Sequence, residues 1–197
     1  MTYPWYEYAI ILFTIALGVA GGWWVVRNNW KRYLPLYAIS SGVGIALCFL
    51  FVQARLYSFP HNPPTGWSPI PLLPMATFLP FTVVFNVRYS PSRWAWKIPY
   101  YWGVVHLAIV SEILLLEFTN IFRLERGWDL WDSYSLWWAY YLVFEWLGER
   151  IVPAKDRAPI PVEAFRYGRW AWIVFHAIVI STIFIFGMYA GKLLWDR

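Results

Sequence analysis

The sequence predicts an all-α fold, a polytopic bundle of about six transmembrane helices, and three observations support this. Hydrophobic residues make up 60% of the chain and charged residues 14%, whereas soluble domains carry about 25% charged residues. Apolar stretches of about 20 residues, the length that crosses a bilayer, recur along the chain. Lysine and arginine are concentrated in alternate loops, as in polytopic membrane proteins. We therefore expect residues 1–197 to form a single integral membrane domain, which excludes a soluble globular protein.

Six apolar segments are predicted to cross the membrane. They are Tyr6–Val26, Tyr33–Val52, Ile70–Val87, Ile98–Phe118, Ser133–Leu147 and Trp170–Leu193. The third segment contains Pro71, Pro74 and Pro80. Because proline removes a helical hydrogen bond, we expect this segment to be kinked or partly re-entrant. The fourth segment has Pro99 in its first turn, where the missing N–H is tolerated.

The distribution of basic residues predicts the orientation of these segments. The loops after the first, third and fifth segments hold eleven of the 16 lysines and arginines, and five lie on the other side. Cytoplasmic loops carry the excess of positive charge, so we expect these three loops in the cytoplasm and both termini outside. The expected location is the cell membrane. The net charge of +5 is explained by basic loops that face anionic lipid. No nucleic-acid partner is therefore expected.

One group of polar residues is predicted near the outer ends of the segments. Glu112 and Glu117 lie in the fourth segment, and Thr119 and Asn120 follow it. Arg55, which ends the second segment, is expected at the depth of Glu117, and an ion pair would let the membrane tolerate both charges. Glu112 is deeper and about 140° around the helix from Glu117, so it needs another partner or is neutral. Thr119 and Asn120 are expected to cap the helix and shape the loop.

A second group is predicted at comparable depth in the inner half of the membrane. It consists of His106, Glu145 and His176. Hydrogen bonding between these buried side chains is the first interpretation, and a pathway for protons or solutes is the second. Binding of a transition metal is the third interpretation, because two histidines and a carboxylate are suitable ligands. However, no helix carries two such ligands one turn apart. No cofactor is expected. The single cysteine, Cys48, excludes an internal disulfide and a cysteine-based metal site.

The block from Leu56 to about Trp146 carries a series of short motifs. They are LYSFP after the second segment, VVFNVRYSP at the end of the third, Glu112-x4-Glu117-x-Thr119-Asn120 in the fourth and RGWDLWDSYS before the fifth. In these features the chain resembles an uncharacterised family of small multi-pass membrane proteins common in spore-forming Bacilli and Clostridia. The resemblance covers about half of the chain. It implies a multi-pass membrane protein and supplies no biochemical activity.

Small residues four positions apart predict close helix contacts. The pairs are Gly18 and Gly22, Gly42 and Ala46, and Gly187 and Gly191. Packing inside the bundle is the first interpretation of these pairs, and an interface with a second copy of the chain is the alternative.

Three classes of function remain open. A non-enzymatic structural or interaction protein is favoured, because the loops are short and polar residues are few. Its partners would be the lipid bilayer, another membrane protein or a second copy. A transporter or channel for protons or small solutes is the alternative, although the chain lacks the internal repeat of many transporters. A lipid- or isoprenoid-acting enzyme is the third, but neither Gly-x-Ser-x-Gly nor His-Glu-x-x-His occurs, so no catalytic residue is predicted.

Overall fold

A computed structural model describes residues 4–27, 29–62, 68–161, 163–166 and 169–195. The predicted all-α fold is confirmed. The helices are α1 (Trp5–Val26), α2 (Trp30–Gln53), α3 (Leu72–Tyr89), α4 (Trp94–Phe118), α5 (Leu130–Ile151), the short α6 (Glu163–Arg166) and α7 (Arg169–Trp195). A 3₁₀ turn, Ala154–Asp156, follows α5. Two short strands, β1 (Tyr57–Ser58) and β2 (Arg123–Leu124), pair in antiparallel orientation.

Four helices, α1 to α4, are long and apolar enough to cross a membrane by their length and composition. They correspond to the first four predicted segments, and α3 continues through Pro80. The fifth predicted segment becomes α5, which starts earlier because Asp129 caps it by accepting the N–H groups of Trp131 and Asp132. In α7 the apolar stretch is Ile173–Met188. Membrane crossing by α5 and α7, and a kink in α3, stay predictions.

The helix α3 lies at the centre of the bundle and packs against α1, α2 and α5. Its approach to α1 is close, since a Cβ on Gly18 would stand 2.5 Å from the backbone nitrogen of Phe78. A Cβ on Gly44 of α2 would likewise overlap the side chain of Leu79. Small residues on the neighbouring helices therefore let α3 occupy the centre.

The predicted pairs of small residues divide into two kinds. Gly18 and Gly22 pack inside the bundle as expected, the first against α3 and the second against Tyr37. The glycines of the other two pairs are surrounded by open space, with no described atom within 4 Å of the point that a Cβ would occupy: Gly42, Gly187 and Gly191. These positions do not support contacts within one chain, and the alternative of an interface stays a prediction.

The helices alternate in direction, so the loops gather at two ends. What we call the basic end holds the α1–α2 turn, the α3–α4 loop and the segment after α5. The N–H of Ala158 there donates to the carbonyl of Arg88, and the Tyr33 hydroxyl donates to the carbonyl of Asp156. The opposite end holds the start of α1 and the α2–α3 and α4–α5 loops, which the β1–β2 pair joins. The three loops richest in lysine and arginine thus lie together.

The bundle is apolar on its outside and charged at several positions inside. Leu107 and Phe13 are 71% and 68% exposed, whereas Glu7 and Glu145 are 0% and Lys97 is 1% exposed. In water this arrangement would hydrate large apolar side chains and bury charges, and both are unfavourable. Ionisable residues of membrane proteins face the bundle interior and pair there, so this distribution is the one expected of helices surrounded by lipid.

Candidate functional site

Buried polar side chains surround the carboxylate of Glu145, on α5 at the basic end. We refer to this group as the Glu145 cluster, which consists of Ser90, Lys97, Tyr101, Glu145, Glu149 and Arg157. Its members come from the end of α3, from α4, from α5 and from the segment after α5. The cluster therefore joins four parts of the chain at one carboxylate.

Four side chains donate to the two oxygens of Glu145. Oε1 accepts from Nζ of Lys97 and, at 3.0 Å, from Nη1 of Arg157. Oε2 accepts from the hydroxyl of Tyr101 at 2.6 Å. The hydroxyl of Ser90 lies 3.0 Å from both oxygens. Since an ionised carboxylate offers about four acceptor positions, these donors saturate Glu145.

The second carboxylate of the cluster, Glu149, shares the same lysine. Nζ of Lys97 donates to Oε1 of Glu149 at 2.7 Å, and Nε1 of Trp94 donates to Oε2 at 3.1 Å. Glu145 and Glu149 are four residues apart on α5 and thus lie on one face of the helix. Two carboxylates face the two cations Lys97 and Arg157, so the charges of the cluster balance.

The geometry of the cluster suits a structural link between helices better than an open reaction centre. Both oxygens of Glu145 are occupied by protein donors, and the residues of the cluster do not line the cavity that lies between α4, α5 and α7. Within the described ranges, no group of three or more His, Cys, Asp or Glu side chains is placed to hold a metal ion. Removing the Glu145 carboxylate would leave the buried Arg157 without an ionic partner, which is strongly unfavourable.

A second buried carboxylate joins the elements of the opposite end. Oε2 of Glu7, in the first turn of α1, pairs with Nδ1 of His61 from the α2–α3 loop. Its Oε1 accepts the backbone N–H of Asn120 at 2.8 Å, and the backbone N–H of His61 donates to the carbonyl of Asn120 at 3.2 Å. Glu7, His61 and Asn120, which we call the Glu7 cluster, thus tie α1 to both loops of this end.

Glu112 has its partner on α5. Its Oε1 accepts Nε1 of Trp137 at 2.7 Å, and its Oε2 is buried. Tyr57 of β1 lies near this carboxylate. Burial, and to a smaller extent the charge of Glu112, raise the pKa of Tyr57, so its hydroxyl stays neutral at physiological pH. The hydroxyl of Ser133 also interacts with Glu112, so this carboxylate lies among neutral polar side chains.

The structure does not bring His106, Glu145 and His176 together. Nδ1 of His106 bonds to a main-chain carbonyl one turn earlier on α4, and its Nε2 lies 2.6 Å from Oγ1 of Thr182 on α7. His176 precedes Thr182 by six residues, about 9 Å along α7. Tyr101, which reaches Glu145, is five residues from His106 and thus about 140° away around α4. Among the described residues these three side chains form no metal-binding group, and the proton pathway stays a prediction.

The predicted ion pair between Arg55 and Glu117 is not formed either. Both side chains are exposed, and the salt bridges found between described residues include neither of them. Arg55 follows α2 in a left-handed backbone conformation, with φ 56°. The helix α2 packs mainly on α3 and α5, whereas α4 packs on α5 and α7. The ends of α2 and α4 are linked through the β1–β2 pair instead.

Thr119 and Asn120 organise the end of α4. The hydroxyl of Thr119 donates to the carbonyl of Leu115 at 2.7 Å and accepts the N–H of Ile121 at 3.2 Å. Oδ1 of Asn120 accepts from Nη2 of Arg123 at 2.8 Å, while its main chain belongs to the Glu7 cluster. Both side chains thus form hydrogen bonds at the end of α4 and in the loop after it. The backbone of Asn120 also bonds to Glu7 of α1 and to His61 of the α2–α3 loop.

Sequence reasoning missed Glu7, His61, Lys97 and Arg157 as members of buried clusters. The predicted fourth segment starts at Ile98 and leaves Lys97 in a loop, whereas α4 starts earlier and buries the lysine. One signal was available for the basic end. Two glutamates one turn apart on an apolar helix require nearby cations, because the membrane does not tolerate unpaired carboxylates.

A cavity of about 380 Å³ lies between α4, α5 and α7. Its lining is mostly apolar and includes the polar residues His106, Asp129 and Thr182. The volume is in the range of small-molecule sites. Glu112 does not line it, so His106 and Glu112 do not face a common chamber.

No protein-family model matches this chain, and no curated protein or solved structure matches it. The resemblance to small multi-pass membrane proteins of Bacilli and Clostridia stays a prediction from the motifs, and the function has to be inferred from the geometry of the chain itself.

Proposed function

We propose that the chain is an integral protein of the bacterial cytoplasmic membrane with a non-enzymatic role, as a structural or interaction component of a larger membrane assembly. The observation that carries this proposal is the saturation of Glu145 by four donors of the same chain. The buried charges at the basic end are used to hold the bundle together. A site that performs chemistry needs a group that can reach a substrate, and this carboxylate has none of its acceptor positions free.

The outer surface supports an interaction role. Large apolar side chains are exposed along α1, α2, α4 and α7. Gly42 on α2 and Gly187 on α7 face open space, and small residues are the positions at which membrane helices approach one another. We therefore propose the faces around these two glycines as contacts with another membrane protein or with a second copy of the chain.

Site-specific photo-cross-linking in intact membranes tests this proposal. A photoreactive residue at Ile39 or Ile183, which lie within one turn of Gly42 and Gly187, is expected to give one discrete protein adduct. The matched control is Phe13, an equally outward position on α1, which is expected to give lipid adducts. A discrete adduct of twice the chain mass indicates a second copy, and another mass indicates a different protein. Lipid adducts alone at all three positions contradict an interaction role.

A proton- or solute-handling role is the second candidate, and the carboxylate of Glu112 favours it, because no described cation pairs with it. A largely buried carboxylate without a cationic partner is a group that a proton or a cation can reach if the surroundings open. Reconstituted vesicles with an internal pH dye test this role. Proton flux that disappears in Glu112→Gln and persists in Glu117→Gln supports it, whereas the absence of flux in the unchanged protein removes it.

A further inference from the structure

The guanidinium of Arg88, in the last turn of α3 at the basic end, has no acceptor within the described part of the chain. It lies 5.8 Å from the ring centre of Tyr33 and 5.6 Å from that of Tyr89. Its Nε and Nη1 are buried and make no hydrogen bond, and Arg88 is absent from the salt bridges found among the described residues. The two rings hold this cation in place without satisfying its N–H groups.

Arg157 supplies a second donor with an unused nitrogen. Its side chain is 8% exposed. Nε donates to the carbonyl of Val152 and Nη1 to Glu145, each at 3.0 Å, but the buried Nη2 has no partner among the described residues. A buried guanidinium N–H without an acceptor is unfavourable. This nitrogen too can therefore donate to an acceptor from outside the chain.

The backbone places both arginines close to Tyr33. The residue before Arg157 accepts the Tyr33 hydroxyl at 2.9 Å, and the residue after it donates its N–H to the carbonyl of Arg88 at 3.0 Å. The charges of Arg88 and Arg157 both act on the Tyr33 hydroxyl, opposed by that of Asp156. Arg157 is paired with Glu145, whereas Arg88 forms no ion pair with Asp156 or with any other described carboxylate.

The acceptor that fits these groups carries several oxygens and a negative charge. Glu145 and Glu149 already pair with Lys97 and Arg157. Arg88, by contrast, forms no ion pair with a described carboxylate. Guanidinium groups bind phosphate oxygens through parallel N–H donors. Basic pockets between membrane helices on the cytoplasmic side bind lipid head groups in the same way.

We propose that Arg88 and Arg157, which both lie close to Tyr33, bind a phosphate group at the basic end of the bundle. The phosphate comes from the head group of an anionic phospholipid or from a free phosphate ion. This site is independent of the structural role proposed above, because it uses donors that the Glu145 cluster leaves unsatisfied.

Thermal unfolding of the full chain in a neutral detergent tests the site. The chain is measured alone, with added phosphatidylglycerol, with phosphatidylcholine, and with inorganic phosphate against chloride at equal ionic strength. Arg88→Gln removes the proposed donor. Arg93→Gln is the matched control, since Arg93 is an exposed arginine at the same end. Arg88→Lys keeps the charge and removes the planar fork.

We expect phosphatidylglycerol to raise the unfolding temperature more than phosphatidylcholine does. The apparent affinity should fall at least about tenfold in Arg88→Gln and Arg88→Lys and stay unchanged in Arg93→Gln. If inorganic phosphate protects as well, the phosphate ion alone is sufficient; if only phosphatidylglycerol protects, the ligand is the head group. The proposal is overturned if no phosphate probe protects, or if Arg93→Gln loses as much affinity as Arg88→Gln. Should Arg88→Gln fail to fold, unchanged affinity in Arg88→Lys overturns it.

Discussion

At the scale of single residues, the interior charges of this bundle differ sharply in how much they contribute to stability. Glu145 is 0% exposed and Glu149 is 34% exposed, yet both accept from Lys97. Removing one partner of a buried ion pair costs about 3–5 kcal/mol, because the other charge stays buried. An exposed ion pair contributes about 0–1 kcal/mol. The two glutamates, one turn apart on α5, therefore form a matched pair for an experiment.

We predict that Glu145→Gln lowers the free energy of unfolding by about 3–5 kcal/mol. The amide nitrogen of glutamine would face the hydroxyl, ammonium and guanidinium groups that now donate hydrogen bonds to the carboxylate. Lys97 and Arg157 would also lose most of the negative charge that compensates them. Glu149→Gln is the control and is expected to cost less than about 1 kcal/mol. Denaturation in detergent with urea, followed by tryptophan fluorescence, measures both values. Equal losses of stability in the two variants would show that Glu145 is not the centre of the Glu145 cluster.

At the scale of helices, α3 holds the bundle together through close contacts with its neighbours. On α1 the contact depends on a glycine, because a Cβ at Gly18 would come within 2.5 Å of the α3 backbone at Phe78. A backbone cannot rotate away as a side chain can. Any larger residue at position 18 must therefore separate the two helices.

Gly18→Ala is expected to lower the free energy of unfolding by about 1–3 kcal/mol, the usual cost of overpacking a well-packed contact. Gly187→Ala introduces the same methyl group on α7, where no described atom lies within 4 Å, and should change stability little. The midpoint of thermal unfolding in detergent compares the two variants directly. A neutral Gly18→Ala would mean that α1 is free to move relative to α3.

At the scale of the whole molecule, composition and hydropathy were enough to predict the helical class and the positions of α1 to α4, because apolar length is a local property. The partners of the buried charges were not predictable in this way. Glu7 and Asn120 are 113 positions apart in the chain, and Lys97 and Glu145 are 48 apart. Depth along a helix can be read from residue number, but the direction of a side chain also depends on the rotation of each helix. That rotation is decided by packing, and for this reason Arg55 and Glu117 share a level without meeting.

The relative order of the loops is defined by the fold, whereas the side of the membrane that each end faces is a prediction from the positive-inside rule. We expect Glu125→Cys, at the opposite end, to react with a membrane-impermeant maleimide in intact cells. Ala158→Cys, at the basic end, should react only after the membrane is permeabilised. Both positions are exposed, and the native Cys48 is 7% exposed and serves as the unreactive background. The reverse pattern would place the basic end outside the cell and would contradict the orientation predicted from the eleven basic residues of its loops.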